Sequence, residues 1–409
     1  MLKERFSKRI IIAQRSIIAS ILLVTNALVW YFYAATTLEE IINKSSQGYL
    51  FAFLSWSLHF GAIIFFALAS TLFSKRMKNR IRFLDLWMII GIVLSLVSAS
   101  VNVSDASSVL LLSTLLGTSF GIGMPSCMGY YSDSTSVENR GRMSGITIFL
   151  SGIGISLLGI IPITGVVSRV LVLAVWRLLG LASFALIRQP ETNRDERRDA
   201  SYRSALVNQP LILYLVPWIM FSLVNNLSLP IEFNILGTSL SGFLTSIESG
   251  LMGVFAIAGG FLSDFLGRKR VAIIGFVMLG IGYAILGISP ENLLGWYFYT
   301  IVDGIALGLF FVVFVTTIWG DLSFGKLGDK YYALGLLPFF ISKYVQLVLS
   351  NYVAKIVSAY AIFSFMAFFL FLAVWPLIYA PETLPEKQIK DRELRQYLEK
   401  AKKTKEKYT

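Results

Sequence analysis

Ionisable side chains interrupt runs of residues that are otherwise aliphatic and aromatic: His59, Arg177, Glu232, Glu248, Asp303 and Lys343. A charge at the centre of a membrane span costs roughly 2.5–3.5 kcal/mol on insertion scales, so each such residue is a functional candidate. Buried carboxyl groups can take up and release a proton, which makes Glu232, Glu248 and Asp303 candidates for proton coupling; His59 joins them as a group that titrates near neutral pH. Asp303 lies about nine residues into its run and Lys343 about ten into the next. Matching depth points to a structural ion pair or to a substrate- or proton-coupled role, the two being compatible if the pair breaks when cargo binds. Asn225 and Asn226, with Asn26, Trp30 and Tyr31, offer amide and aromatic groups that can orient a neutral polar molecule. The candidate substrate-binding residues are therefore Asn26, Tyr31, Asn225, Asn226, Asp303 and Lys343. Arg177 calls for an inward-facing partner that the sequence does not name.

This chemistry is binding and proton transfer rather than bond making. With one cysteine, Cys127, and one histidine, His59, the sequence holds neither an internal disulfide nor a metal cluster of the usual Cys/His kind. No metal and no cofactor is expected. A membrane enzyme would need a nucleophile with a base, and the inventory is thin; a sensor that binds without transporting is the other rival.

The elements that must position these residues are helices. The chain has 409 residues, is 56% hydrophobic and only 15% charged, and has a mean hydropathy of +0.69; soluble domains average about 25% charged. Runs long enough to cross a hydrocarbon core, roughly 20 residues each, fall at 13–36, 48–73, 83–102, 107–131, 143–165, 166–187, 211–236, 242–263, 271–288, 294–319, 333–357 and 359–380. The fifth and sixth are separated only by a turn near Pro162 to Val167.

Spacing shows a duplication. Ser70, Gly145 and Pro190 recur as Gly260, Gly335 and Pro381, at offsets of 190 or 191 residues. Two stacked homologous halves in so apolar a chain predict a transporter that rocks around a central site. The expected units are residues 1–187, a linker at 188–210, residues 211–380 and a basic tail at 381–409. Helical spacing of Leu394, Tyr397, Leu398 and Ala401 predicts a solvated helix in that tail. Of the 36 Lys and Arg residues, 31 fall in alternate loops and the termini. Such excess marks cytoplasmic loops, so both termini are expected in the cytoplasm. The net charge of +12 then reflects topology in a bilayer rather than nucleic-acid binding. A multi-pass plasma-membrane protein, acting as a monomer, is the expectation.

One loop carries a family resemblance. GGFLSDFLGRKRV at 259–271 resembles the signature of the major facilitator superfamily, with Gly260, Leu262, Asp264, Gly267, Arg268 and Lys269 all in place. The resemblance spans residues 13 to 383. It implies an all-α membrane protein of twelve transmembrane helices in two six-helix halves. It also implies a cytoplasmic gate in which Asp264 meets the helix start near Gly141 to Ser144 and Arg268 reaches Asp321. The matching first-half loop has Ser74 and Met77 where Asp and Gly are expected, which predicts an asymmetric gate, weaker on the first-half side. ENRGRMSG and the two Pro-Glu-Thr closures resemble the sugar-porter branch, implying that Glu191 and Glu382 pair with Arg140, Arg142 or their counterparts. The run at 211–236 lacks that branch's Gln-Leu-Ser, and the fourth run lacks the basic residue of many drug antiporters. The resemblance implies secondary active transport by alternating access and licenses neither substrate class. The acidic candidates Glu232, Glu248 and Asp303 make proton symport of a small polar organic solute the first choice, with drug or metabolite efflux the alternative.

Overall fold

A computed structural model describes residues 2–45, 47–73, 79–160, 165–189, 201–356, 358–384 and 394. The chain is a bundle of helices: α1 (Leu2–Lys44), α2 (Tyr49–Phe73), α3 (Arg80–Val97), α4 (Ala106–Ser134), α5 (Arg140–Ile160), α6 (Val166–Ile187), the short α7 (Tyr202–Leu206), α8 (Gln209–Leu266), α9 (Arg268–Ile288), α10 (Leu293–Phe310), α11 (Ile318–Leu322), α12 (Asp329–Ile356) and α13 (Ala359–Tyr379). A widened π-helical segment, Phe311–Thr317, makes α10 and α11 one continuous span. Eleven helices among the described residues are long and apolar enough to cross a membrane. One of them, α8, is of double length, which makes twelve spans, six in each half.

The double helix corrects an expectation. A loop was predicted between runs ending at 236 and starting at 242; the connection is Gly237 alone, with φ of +73°, a left-handed conformation that favours glycine. Fifty-eight residues of straight helix would measure about 87 Å, far beyond a bilayer. The chain therefore folds back at Gly237, so that Tyr214 and Asp264 both lie at the end of the bundle where α13 exits, Tyr214 donating to the Pro381 carbonyl at 2.8 Å. That end, the basic end, carries most of the Lys and Arg among the described residues. The limbs of α8 are 209–236 and 238–266. The turn expected between α5 and α6 falls largely in 161–164, and the expected tail helix in 385–409; apart from Leu394, these lie outside the described residues.

Side chains start the helices at loops. Asp105 accepts from the Ser107 and Ser108 amides at 3.2 and 3.1 Å, capping α4. The Ser108 hydroxyl, followed by the Ser107 amide, holds its carboxyl below the usual carboxylate range. Asn292 caps α10 and Ser358 caps α13 in the same way.

The halves meet where α5 packs on α8 and where α2 and α4 pack on α12. Glycines bring the first pair together. A Cβ at Gly260 would lie 2.5 Å from the Gly141 carbonyl, and one at Gly145 would lie 2.5 Å from that of Ala256. Nearer the opposite end the same seam is loose, since a Cβ at Gly152 would come no closer than 3.9 Å to Gly253.

Arg177 finds its partners inside the first half. Its Nη1 donates to Asn26 Oδ1 at 2.9 Å, and its guanidinium lies 4.2 Å from the centre of the Trp87 ring and 5.1 Å from that of Trp30. Asn26 also donates to the Trp176 carbonyl at 2.7 Å. Arg177→Ala should lower stability by about 2–5 kcal/mol, the usual range for truncating a large buried side chain. Arg177→Met, which fills the space without a charge, should cost clearly less. Thermal unfolding in detergent reads both, and equal losses would contradict a packing role.

Candidate functional site

A cavity of about 370 Å³ lies between the halves. The first half lines it with Leu28, Tyr31 and Phe32 from α1, Phe120 from α4, and Ile148, Ser151 and Ser156 from α5. Tyr31 stacks on Phe120 with ring centres 4.0 Å apart, and both meet Phe340 of α12 edge-on at 5.7 and 5.8 Å. The second half supplies every charge among the lining residues. Glu232 comes from the first limb of α8, Glu248 from its second, Asp303 from α10 and Lys343 from α12.

Local packing gathers the acids. A Cβ at Gly304 would lie 2.9 Å from the Glu248 carbonyl, so the residue after Asp303 lets α10 press against α8. The charges of Glu232, Glu248 and Asp303 act on one another. Asp303 is 3% exposed; Tyr299, itself bonded to Tyr283 at 2.9 Å, donates to its Oδ2 at 3.0 Å, while Oδ1 has no hydrogen-bond partner among the described residues. The lining residues Ser156, Thr245 and Ser249 are exposed and sit toward the Gly237 end, so the cavity opens away from the basic end.

Several candidates are thus brought together: Tyr31, Asn225, Asn226, Glu232, Glu248, Asp303 and Lys343 all line one space. The expected Asp303–Lys343 ion pair does not form. Lys343 Nζ donates instead to Gln346 Oε1 at 3.2 Å, one turn along its own helix. Equal depth does not set the direction a side chain takes around its helix. Asn26 is a second correction, because its amide is spent on Arg177 and Trp176 and is absent from the cavity wall. His59 stands behind Tyr31 with ring centres 6.1 Å apart; its Nδ1 meets the Ser113 carbonyl at 3.1 Å, and it does not line the cavity. Asn226 donates to the Ser222 carbonyl and to Ser342 Oγ at 2.9 and 2.7 Å. The sequence reading missed Trp218, Tyr299, Phe339 and Phe340, aromatic residues with no signal to set them apart from lipid-facing ones.

At the basic end the cavity is shut by a network of buried ions. Asp264 accepts from the amides of Gly141 and Arg142, each at 2.9 Å, and from Arg142 Nε at 3.1 Å. Arg268 joins Asp264 at 3.1 Å to Asp321 at 2.9 Å, and Arg140 holds the other oxygen of Asp321. Gly267, at φ of +101°, turns the chain into α9. Glu382 corrects the pairing expected of it: its carboxylate accepts from the amides of Arg268 and Lys269 at 2.9 and 3.1 Å, so it caps α9, and Arg140 and Arg142 go to Asp321 and Asp264. Lys269 Nζ donates to the Ile378 carbonyl at 2.6 Å. Glu191 lies outside the described residues, as do Ser74 and Met77.

The first half has a network of its own. Arg80 joins Asp133 at 2.7 Å to Asp329 of α12 at 3.4 Å. A repeat offset of 188 residues relates Arg80 to Arg268 and Asp133 to Asp321, a signal present in the sequence but not used. The carboxylate facing this arginine across the seam is supplied by α12 itself.

Residues 211–406 match the sequence model of the Major Facilitator Superfamily. The matched segment is the second six-span half and the tail that follows it. Solved members of the superfamily share the chain's fold throughout. The human organic anion transporter MFSD10 aligns at 14% identity over 89% of this chain and 99% of that one, with a TM-score of 0.66. FucP, in its outward conformation, aligns at 12% identity over 90% and 100%, with a TM-score of 0.68. The proton:xylose symporter XylE, bound to 6-bromo-6-deoxy-D-glucose, aligns at 15% over 91% and 96%, with a TM-score of 0.68. At these identities the likeness concerns the fold. No curated protein matches the chain by sequence. The chain is therefore a multi-pass membrane protein with the major facilitator fold, latched at one end and open toward the other.

Proposed function

We propose that the protein is a proton-coupled secondary transporter that carries a small organic solute between the two faces of the plasma membrane by alternating access. The observation that supports this reading best is the meeting of Glu232, Glu248 and Asp303 in one cavity at the seam between the halves. Like charges in a poorly solvated space repel, so a proton or a cargo that neutralises one of them is held there. Proton and cargo then compete for the same carboxylates, and the coupling is exchange. The basic end faces the cytoplasm in this proposal, in line with the positive-inside tendency, and one chain is the working unit.

Symport of a neutral polar solute, the first expectation from the sequence, is the second reading. It is favoured by the amides of Asn225 and Asn226 in the wall, Asn226 Oδ1 having no hydrogen-bond partner among the described residues.

Vesicles containing the reconstituted protein and a trapped pH dye separate the two when sugars, carboxylates, amino acids and cationic dyes are added outside. Exchange makes the lumen more alkaline as cargo enters; symport makes it more acidic. The triple change Glu232→Gln, Glu248→Gln and Asp303→Asn should reduce the solute-driven proton flux at least 100-fold. An undiminished flux in that variant would remove proton coupling from these residues.

A further inference from the structure

The charge in the cavity is one-sided, and Lys343, the one cation among the described lining residues, is engaged elsewhere. Three carboxylates face the space from α8 and α10, while α1, α4 and α5 contribute no charged lining residue. Lys343 binds Gln346 at 3.2 Å on its own helix and forms no ion pair with the three acids among the described residues. Asp303 is 3% exposed, lines the cavity, and keeps Oδ1 without a hydrogen-bond partner among the described residues. Tyr299 and Tyr283 are the other titratable groups beside it, and both phenols are already committed to the Asp303–Tyr299–Tyr283 chain. The rings of Tyr31, Phe120 and Phe340, packed against one another, line the same cavity as the acids. A carboxylate with an unused oxygen attracts a cation, and ring faces hold cations and their apolar bodies within about 6 Å. An anion would meet repulsion from the three carboxylates, and a sugar would find few amides for its hydroxyls.

We infer that the cargo is an amphipathic organic cation, its positive centre seated between Asp303, Glu248 and Glu232 and its apolar body against Tyr31, Phe120 and Phe340. The inference rests on the reading of this cavity as the transport site. The space, about 370 Å³, is at the small end of ligand pockets, which run from roughly 300 to 1,000 Å³.

Tetraphenylphosphonium and tetraphenylborate, ions of nearly the same shape and opposite charge, provide the test. Equilibrium binding of each is measured on the purified full-length protein in detergent. The phosphonium should bind saturably and the borate at least tenfold more weakly. Asp303→Asn should weaken phosphonium binding at least tenfold, Asp303→Glu should retain most of it, and Glu291→Gln, at an acid outside the cavity, should leave it unchanged. Thermal unfolding of each variant shows that it is folded. Equal or stronger binding of the borate, absence of saturable phosphonium binding, or unchanged binding in Asp303→Asn together with Glu232→Gln and Glu248→Gln overturns the inference. Proton-driven accumulation of a neutral or anionic solute in vesicles, with no phosphonium binding, also overturns it while leaving the transporter reading in place.

Discussion

Arg268→Ala should release the basic end of the bundle and lower the stability of the latched form by about 3–5 kcal/mol, the usual cost of removing one partner of a buried ion pair. Arg268 is fully buried and touches both carboxylates of the network, together with the Ser263 carbonyl at 2.8 Å and that of Val137. Its loss leaves Asp264 to the amides of α5, and leaves Asp321 to Arg140 and the Thr383 hydroxyl at 3.1 Å. Every 1.4 kcal/mol is about tenfold in an equilibrium, so a latched population in large excess becomes a minority. Spin labels at Ser136 and Arg270, on opposite sides of the seam, should report a longer distance in the variant. Arg268→Lys keeps the charge but loses the planar fork that spans two carboxylates, and should fall between wild type and alanine. An unchanged distance distribution in Arg268→Ala would show that the network does not hold this end shut.

Gly260→Val should have a comparable effect by a different route. Even a Cβ at this position would press 2.5 Å from the Gly141 carbonyl, which is backbone and cannot rotate aside. Overpacking of this kind typically costs 1–3 kcal/mol, and here it acts only when the halves are together at the basic end. The expected result is a folded protein whose α5–α8 seam no longer closes, with the amides of Gly141 and Arg142 drawn away from Asp264. Gly253→Ala, farther along the same seam, meets nothing closer than the Phe149 ring at 3.7 Å and should change stability by less than about 0.5 kcal/mol. Maleimide labelling of a cysteine introduced at Ser263 distinguishes the two, rising in Gly260→Val and staying low in Gly253→Ala. Equal labelling in both would mean that close backbone contact is not what seals the seam.

The parts of this arrangement that were readable in sequence are those in which short spacing dictates geometry. Gly260, Asp264, Gly267 and Arg268 lie within nine residues of one another, so their relative placement follows from one helix end and one turn. Asp321 followed from the family resemblance. The cavity was harder, because each helix rotates its side chains by about 100° per residue and a difference of one position redirects a group to a new neighbour. Asp303 and Lys343 matched in depth, yet one faces Tyr299 and the other Gln346. Asn26 looked like a polar group facing the cargo and proved to be the partner that Arg177 lacked. The resemblance pairs Glu191 and Glu382 with Arg140, Arg142 or their counterparts, but the helix start beside Gly267 offers Glu382 two amides first. The acids Glu232, Glu248 and Asp303 were each visible; their convergence was not, since it depends on a fold-back at one residue and a glycine at 304.

That fold-back ties the two limbs of α8 together with no slack. Glu232 lies five residues before Gly237 and Glu248 eleven after it, so the limbs act like the arms of a pair of dividers pivoting at a single joint. Swinging one arm widens or narrows the gap between two like charges, and the work required varies inversely with their separation. Whatever neutralises one tip reduces that work, which makes the spread of the arms and the occupancy of the cavity two measures of the same quantity.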